Sequence, residues 1–199
     1  MRRFRAARMV GAGVAILALS ACAGGHFKPV SDVPVRIGKP YQVRGVTYVP
    51  AADPTYDVLG FASWYGNESG NRTANGERFR AGAVTGAHTT LPLPTYVEVT
   101  SLDTGRRIIV RINDRGPFAR SQRVIDLSRG AAAELGILAK GSAPVRVRRI
   151  EPAERDRARL RAGKPAPELS RVPEATLQDL RAQLAANPNS LRSGEGGRR

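Results

Sequence analysis

Arg107-Ile108-Ile109-Val110-Arg111-Ile112-Asn113-Asp114-Arg115-Gly116-Pro117-Phe118 is a strand that alternates and then stops at a forced turn. Ile108, Val110 and Ile112 fall on one face, and Arg107, Ile109, Arg111 and Asn113 on the other, with the period of two that defines a β-strand. Asp114 shares the parity of the apolar face. If the strand holds to that point, a carboxylate stands at the rim of the apolar face, where Gly116-Pro117 turn the chain. A carboxylate held beside apolar surface resists ionisation, and an acid stays protonated near neutral pH in this way. The alternative is an Asp that caps a turn and pairs with Arg115.

The neighbours of this strand carry the same β pattern in short pieces. Tyr96 to Leu102 precedes it, and Asp103-Thr104-Gly105 closes the two runs into a hairpin. Gly60-Phe61-Ala62-Ser63-Trp64-Tyr65-Gly66 and Val145 to Ile150 read as further strands. One helix is expected among them, capped by Ser128, with Ala131 to Leu135 as its body and Gly136 as its end. Residues 60–150, with short strands and one small helix, fit a small closed barrel, near the lower limit of size for an independent domain.

Around the barrel the chain changes character. Residues 22–59 are punctuated by Pro and Gly, and two apolar runs flank Arg44-Gly45 as a hairpin would require. Residues 151–199 turn charged and Pro-interrupted. They read as a basic, largely disordered tail, the alternative being a helix over 174–186 that docks its Leu177, Leu180 and Leu184 stripe.

The N-terminus indicates where the chain works. Arg2, Arg3, Arg5 and Arg8 form a basic region, and Met9 to Ala18 an apolar region too short to span a bilayer comfortably. Leu19-Ser20-Ala21-Cys22 then resembles the lipobox of bacterial lipoproteins, which makes residues 1–21 a signal peptide and Cys22 the acylated first residue. Cys22 is the single cysteine of the chain, so no intrachain disulfide is available, and a thioether anchor explains it better than a free thiol. Ala23, rather than Asp, follows it. By the sorting rule of such lipoproteins the expected location is the outer membrane, facing the periplasm, held by buried acyl chains.

The formal net charge is +15, and loss of the four signal arginines leaves +11. Such a charge ordinarily raises nucleic acid as a partner. Here the positive charge is nearly all Arg, dispersed without basic-aromatic clusters, in a chain with 6% aromatics that carries an export signal, so nucleic acid is excluded. Anionic lipid and acidic envelope polymers are the expected counter-charges. His26 and His88 are the two histidines and form no metal-ligand cluster, so neither a metal nor a cofactor is expected.

Five blocks in order carry a resemblance: Phe61 to Gly66, Arg72-Thr73-Ala74-Asn75-Gly76-Glu77, Ala87 to Pro94, Val110 to Phe118, and Ile125-Asp126-Leu127-Ser128. Together with the lipobox they resemble the rare lipoprotein A family. The resemblance implies a mainly β fold, a six-stranded double-psi β-barrel, flanked here by the lipoprotein signal and the charged tail. It implies cleavage of the MurNAc–GlcNAc bond of peptidoglycan glycan strands by a lytic transglycosylase, leaving 1,6-anhydro-MurNAc ends. The C6 hydroxyl of the substrate is then the nucleophile, so one enzymic acid suffices where ordinary glycosidases use two carboxylates.

Carried over by motif, Asp114 is the acid/base. Glu77 orients the sugar or raises the acid's pKa through its charge, and His88 donates to the saccharide or the carboxylates. Tyr65, Asn75, Arg111 and Arg115 are the expected substrate-binding residues, Trp64 belongs to the core, and Asp126 braces the barrel or caps the helix. The competing reading is a non-catalytic, expansin-like peptidoglycan-binding lipoprotein. About fifty residues without strand-helix alternation follow the barrel, so targeting to the division septum is not carried over and division-site partners are not indicated.

Overall fold

A computed structural model describes residues 28–66, 70–118 and 122–186. The signal at 1–21, Cys22, His26 and the end of the tail at 187–199 lie outside the described residues.

The two apolar runs around Arg44-Gly45 pair as the antiparallel strands β1 (Tyr41–Val43) and β2 (Val46–Tyr48). Arg44 and Gly45 both take positive φ (51° and 80°), the requirement of the two-residue turn whose twist matches its strands. The remaining strands are β3 (Asp57–Tyr65), β4 (Thr85–Ala87), β5 (Thr95–Ser101), β6 (Arg107–Asp114), β7 (Arg123–Ser128) and β8 (Ser142–Arg149). They close into a six-stranded barrel in the order β3-β7-β4-β6-β5-β8. The β3–β7 and β4–β6 pairs are parallel and the other four antiparallel.

Closure abolishes free sheet edges. The interior is filled mainly by β-branched and Leu side chains, among them Val97, Val99, Val110, Ile112, Ile125, Leu127, Val145 and Val147, each fully buried. The three-residue β4 runs through the middle of this packing. A Cβ on its Gly86 would stand 3.1 Å from the carbonyl oxygen of Asp126 and 3.2 Å from Val110 Cγ1, so the short strand fits because the residue has no side chain.

Helix α1 (Arg129–Leu135) starts where the Ser128 hydroxyl accepts the Ala131 amide and ends at Gly136 with φ 83°. It lays Ala131, Ala132 and Leu135 on the barrel.

The expectation of a largely disordered tail is corrected for residues 151–186. Helix α2 (Glu154–Arg161) sends Leu160 into the main core, and helix α3 (Glu174–Ala186) packs Leu177 and Leu180 against Leu102, at the turn between β5 and β6. The intervening backbone is tied down where the Val172 amide donates to the Gly105 carbonyl (2.9 Å). Gly105 has φ 70°, and a Cβ there would lie 2.6 Å from the Val172 carbonyl oxygen. Three leucines in a narrow stripe therefore find a buried partner, which a polar-looking sequence does not advertise.

The segment before β1 is also held. Val30 donates to the Arg161 carbonyl, Arg36 and Leu93 exchange backbone hydrogen bonds, and Asp32 accepts from Tyr96, Arg111 and Arg161.

Candidate functional site

Residues 73–77 make a tight turn at the end of β6. The Gly76 amide donates to Thr73, the Thr73 amide donates to Glu77, and Gly76 takes φ 83°. The turn docks through the Asn75 amide, which donates to the Asn113 carbonyl (3.1 Å). Its exposed Ala74 amide is thereby aimed at Asp114, whose Oδ1 accepts it at 2.8 Å. The same oxygen accepts the Arg115 amide at 2.8 Å, while Oδ2 has no hydrogen-bond partner among the described residues.

The ladder between β4 and β6 slips by one between Gly86 and Ala87. Asn113 is left without a partner in β4, and Asp114 stands in register with Ala87. Such an irregularity re-aims a side chain at the end of a strand. Burial pushes the Asp114 carboxyl above its usual range, against the two amides and the Arg115 charge, which pull it down. The rim position expected from the strand's parity is thus occupied by a half-buried acid with one oxygen held and one unengaged. The Arg115 side chain does not pair with it.

Glu77 closes the turn whose Ala74 amide reaches the acid. Its Oε1 accepts from Asn75 Nδ2, and its Oε2 accepts from Arg111 Nη1 and Asn113 Nδ2, all at 2.8 Å. The expectation that Glu77 raises the acid's pKa by its charge is replaced by burial as the leading cause. Arg111 is also corrected. Its side chain is 0% exposed, and besides Glu77 it donates Nε to Asp32 (3.0 Å) and Nη2 to the Ser31 carbonyl (2.7 Å). A guanidinium with its donors engaged inside the protein does not line a groove. It links the turn bearing Glu77 to the N-terminal segment.

Arg115 is likewise a brace. Its Nη1 donates to the carbonyls of His88 and Leu91, and its Nη2 donates to that of Ile37. His88 is 3% exposed. Its Nδ1 accepts the amides of Thr90 (3.2 Å) and Leu91 (3.0 Å), and its ring meets Tyr56 edge-on at 4.8 Å. Burial and the Arg115 charge push its pKa down to about 3, so the ring is neutral. With Nδ1 an acceptor, the proton resides on Nε2. The His88 amide donates to the Asp114 carbonyl (3.0 Å), which couples the histidine loop to the acid through backbone. The ring makes no hydrogen bond to Asp114 or Glu77 among the described residues.

Tyr65 stacks on Phe79 with centroids 5.2 Å apart, and its buried hydroxyl has no partner among the described residues. Burial, then the charges of Asp114 and Asp126, push that hydroxyl's pKa up, which places it in the field of both carboxylates. Trp64 packs against the core. Asp126 is a brace: Oδ1 accepts the Ser63 hydroxyl (2.6 Å), and Arg123 faces it at 3.6 Å. The helix cap is Ser128, not Asp126.

Asp32, Asn113 and Tyr56 support the site without having been singled out by sequence reasoning. Asp32 lies 79 residues from Arg111 in an irregular segment, where no local pattern points to it.

Residues 57–147 match the family described as lytic transglycolase. The match covers nearly the whole barrel, from the start of β3 into β8. Among curated relatives, the endolytic peptidoglycan transglycosylase RlpA of Pseudomonas aeruginosa (strain PAO1) is 52% identical over 130 residues, which are 64% of this chain and 37% of the relative. The proteins of the same name from Campylobacter jejuni and Neisseria meningitidis (strain MC58) are 49% and 44% identical, over 55% and 57% of this chain and 40% and 48% of theirs. The chain thus spans less than half the length of these relatives. Among solved structures, the Streptomyces papain inhibitor is 23% identical with a TM-score of 0.42, covering 51% of this chain and all of the inhibitor. An expansin from Clavibacter michiganensis, solved as a mutant with cellohexaose, is 20% identical with a TM-score of 0.39, covering 49% and 52% of the two chains.

Proposed function

We propose that the chain is an endolytic peptidoglycan lytic transglycosylase that cuts MurNAc–GlcNAc bonds during cell-wall remodelling. The observation that carries this is Asp114: a half-buried carboxyl with raised pKa, Oδ1 fixed by two amides and Oδ2 unengaged. Burial favours the protonated form that the glycosidic oxygen requires, and the two amides fix the orientation of the carboxyl. As the C–O bond breaks, Oδ2 gives its proton to the leaving oxygen. The C6 hydroxyl of the same MurNAc closes on C1 and returns a proton to Oδ2, which restores the acid. The relatives' name supports the substrate class. Asn75 and Glu77 supply polar groups beside the acid, and His88 supplies a neutral ring with a fixed tautomer.

Incubation with purified peptidoglycan, followed by mass spectrometry of the soluble products, tests this reading. Anhydro-muropeptides are expected from the wild type, and Asp114→Asn is expected to release them at least about a hundredfold more slowly while remaining folded. A reducing-end product refutes the transglycosylase. Absence of product supports the expansin-like binder. Equal cutting by a folded Asp114→Asn removes the acid role from Asp114.

The same proposal places the protein on a lipid anchor at Cys22, facing the periplasm from the outer membrane, on the strength of Leu19-Ser20-Ala21-Cys22. Cys22→Ser should lose membrane fractionation or accumulate as precursor. A processed variant that still sediments with membranes refutes the anchor.

A further inference from the structure

Three aromatic rings come together beside the site from two distant parts of the chain. Tyr41 and Tyr48 are cross-strand partners in the β1–β2 hairpin, and their rings stack with centroids 5.3 Å apart and planes 21° apart. Phe118 meets both edge-on, at 6.1 Å and 5.7 Å. Each of the three residues retains part of its surface in solvent. Phe118 follows Asp114 by four residues across the Gly116-Pro117 turn, so its Cα lies within about 14 Å of the acid's.

The hairpin is tied to the walls of the site rather than merely near them. The Tyr41 hydroxyl donates to the Thr89 carbonyl (2.7 Å), one residue from His88. The Ala51 amide donates to the Thr90 carbonyl (3.1 Å), and Arg115 donates to the Ile37 carbonyl (3.0 Å). Burial raises the Tyr41 hydroxyl to about 12, so it remains a donor at any physiological pH. The Tyr48 hydroxyl has no partner among the described residues. A two-stranded hairpin is at best marginally stable alone, and these ties fix it where a bare hairpin would fray.

We infer that Tyr41, Tyr48 and Phe118 form a saccharide-stacking subsite, which holds a sugar ring of the glycan strand beyond the unit at Asp114. The inference rests on the glycan reading proposed above. Rigid aromatic rings with polar tips suit the purpose. Their faces take the C–H surface of a pyranose at little entropic cost, and a tyrosine hydroxyl adds a hydrogen bond at the edge. The subsite includes Tyr41 and Tyr48, which precede the residues matched by the family, 57–147. It makes the hairpin a part of substrate recognition and not a spacer before the barrel.

Co-sedimentation with peptide-free glycan strands from purified peptidoglycan tests it, with all variants built in an Asp114→Asn background so that binding is read without cleavage. Tyr48→Ala is expected to weaken retention about tenfold, equivalent to about 1.4 kcal/mol. Tyr48→Leu, which keeps apolar bulk but has no planar face, should lose as much with its thermal midpoint retained, whereas Tyr48→Trp should bind like the parent. Retention by Tyr48→Leu within twofold of the parent overturns the subsite alone. Absence of glycan retention by the parent overturns the subsite and the glycan reading together.

Discussion

Replacing Arg111 with Met tests the buried ionic link behind the site. The unbranched Met side chain occupies the space of the arginine stem, so the change isolates the guanidinium. That group is 0% exposed and paired with Glu77, 14% exposed, at 2.8 Å and with Asp32, 20% exposed, at 3.0 Å. Its removal leaves the Glu77 carboxylate with the Asn75 and Asn113 amides as its only donors among the described residues. Asp32 retains Arg161 and Tyr96, and Ser31 is an exposed residue, so the cost falls mainly on Glu77. Breaking one side of a buried pair costs about 3–5 kcal/mol, and the lower end is expected here because Glu77 keeps two neutral donors. Adding Glu77→Gln to Arg111→Met removes the stranded charge and should recover about 1–2 kcal/mol, a coupling within the usual range for contacting residues. Urea unfolding at neutral pH reads both numbers, as midpoint shifts at unchanged slope. An Arg111→Met protein within about 0.5 kcal/mol of wild type, or a double variant less stable than the single, refutes the link.

Leu177→Ala removes the most buried contact of α3 with Leu102 and should cost about 2–4 kcal/mol, with loss of hydrogen-exchange protection in residues 174–186; protection equal to wild type would show that the helix is not held by this cluster. Because burial raises Asp114 above its unfolded value, the native state binds that proton more tightly, so wild-type stability falls as pH rises from the ordinary carboxylate range through the raised pKa. Asp114→Asn lacks this loss, and its stability relative to wild type should grow over that interval and then level off, as read by urea midpoints at several pH values; a pH-independent difference refutes the buried-acid reading.

Much of the fold was legible wherever a local rule decides the outcome. Ser128 and Gly136 bracket α1 because capping is local chemistry, and Asp103-Thr104-Gly105 joins β5 to β6 because a short turn folds two alternating runs back side by side. Strands β4 and β7 were harder. Thr85-Gly86-Ala87 has no apolar pattern of its own and is a strand only because β6 and β7 flank it, while Ile125 to Ser128 reads as a motif before it reads as a strand. The acid followed from parity and the turn after it. The arginines did not: Arg111 in the alternating strand and Arg115 just after it look like solvent-facing cations, and the partners that engage them, Glu77 and Asp32 for the first and the His88, Leu91 and Ile37 carbonyls for the second, lie 24 to 79 residues away where no period reveals them. The docking of α3 was obscured similarly, since its partner Leu102 sits in a turn far upstream.

The order of strands in the barrel has a consequence for how the chain is made. The first barrel strand, β3, pairs with the last two, β7 and β8, so the barrel cannot close until residue 149 has been synthesised. Asp32 waits longer still, because one of its partners is Arg161. Synthesis proceeds from the N-terminus, yet the N-terminal segment is among the last to find its place. Until then the early strands present unpaired edges, and a chain arrested before β8 has no smaller closed core to settle into.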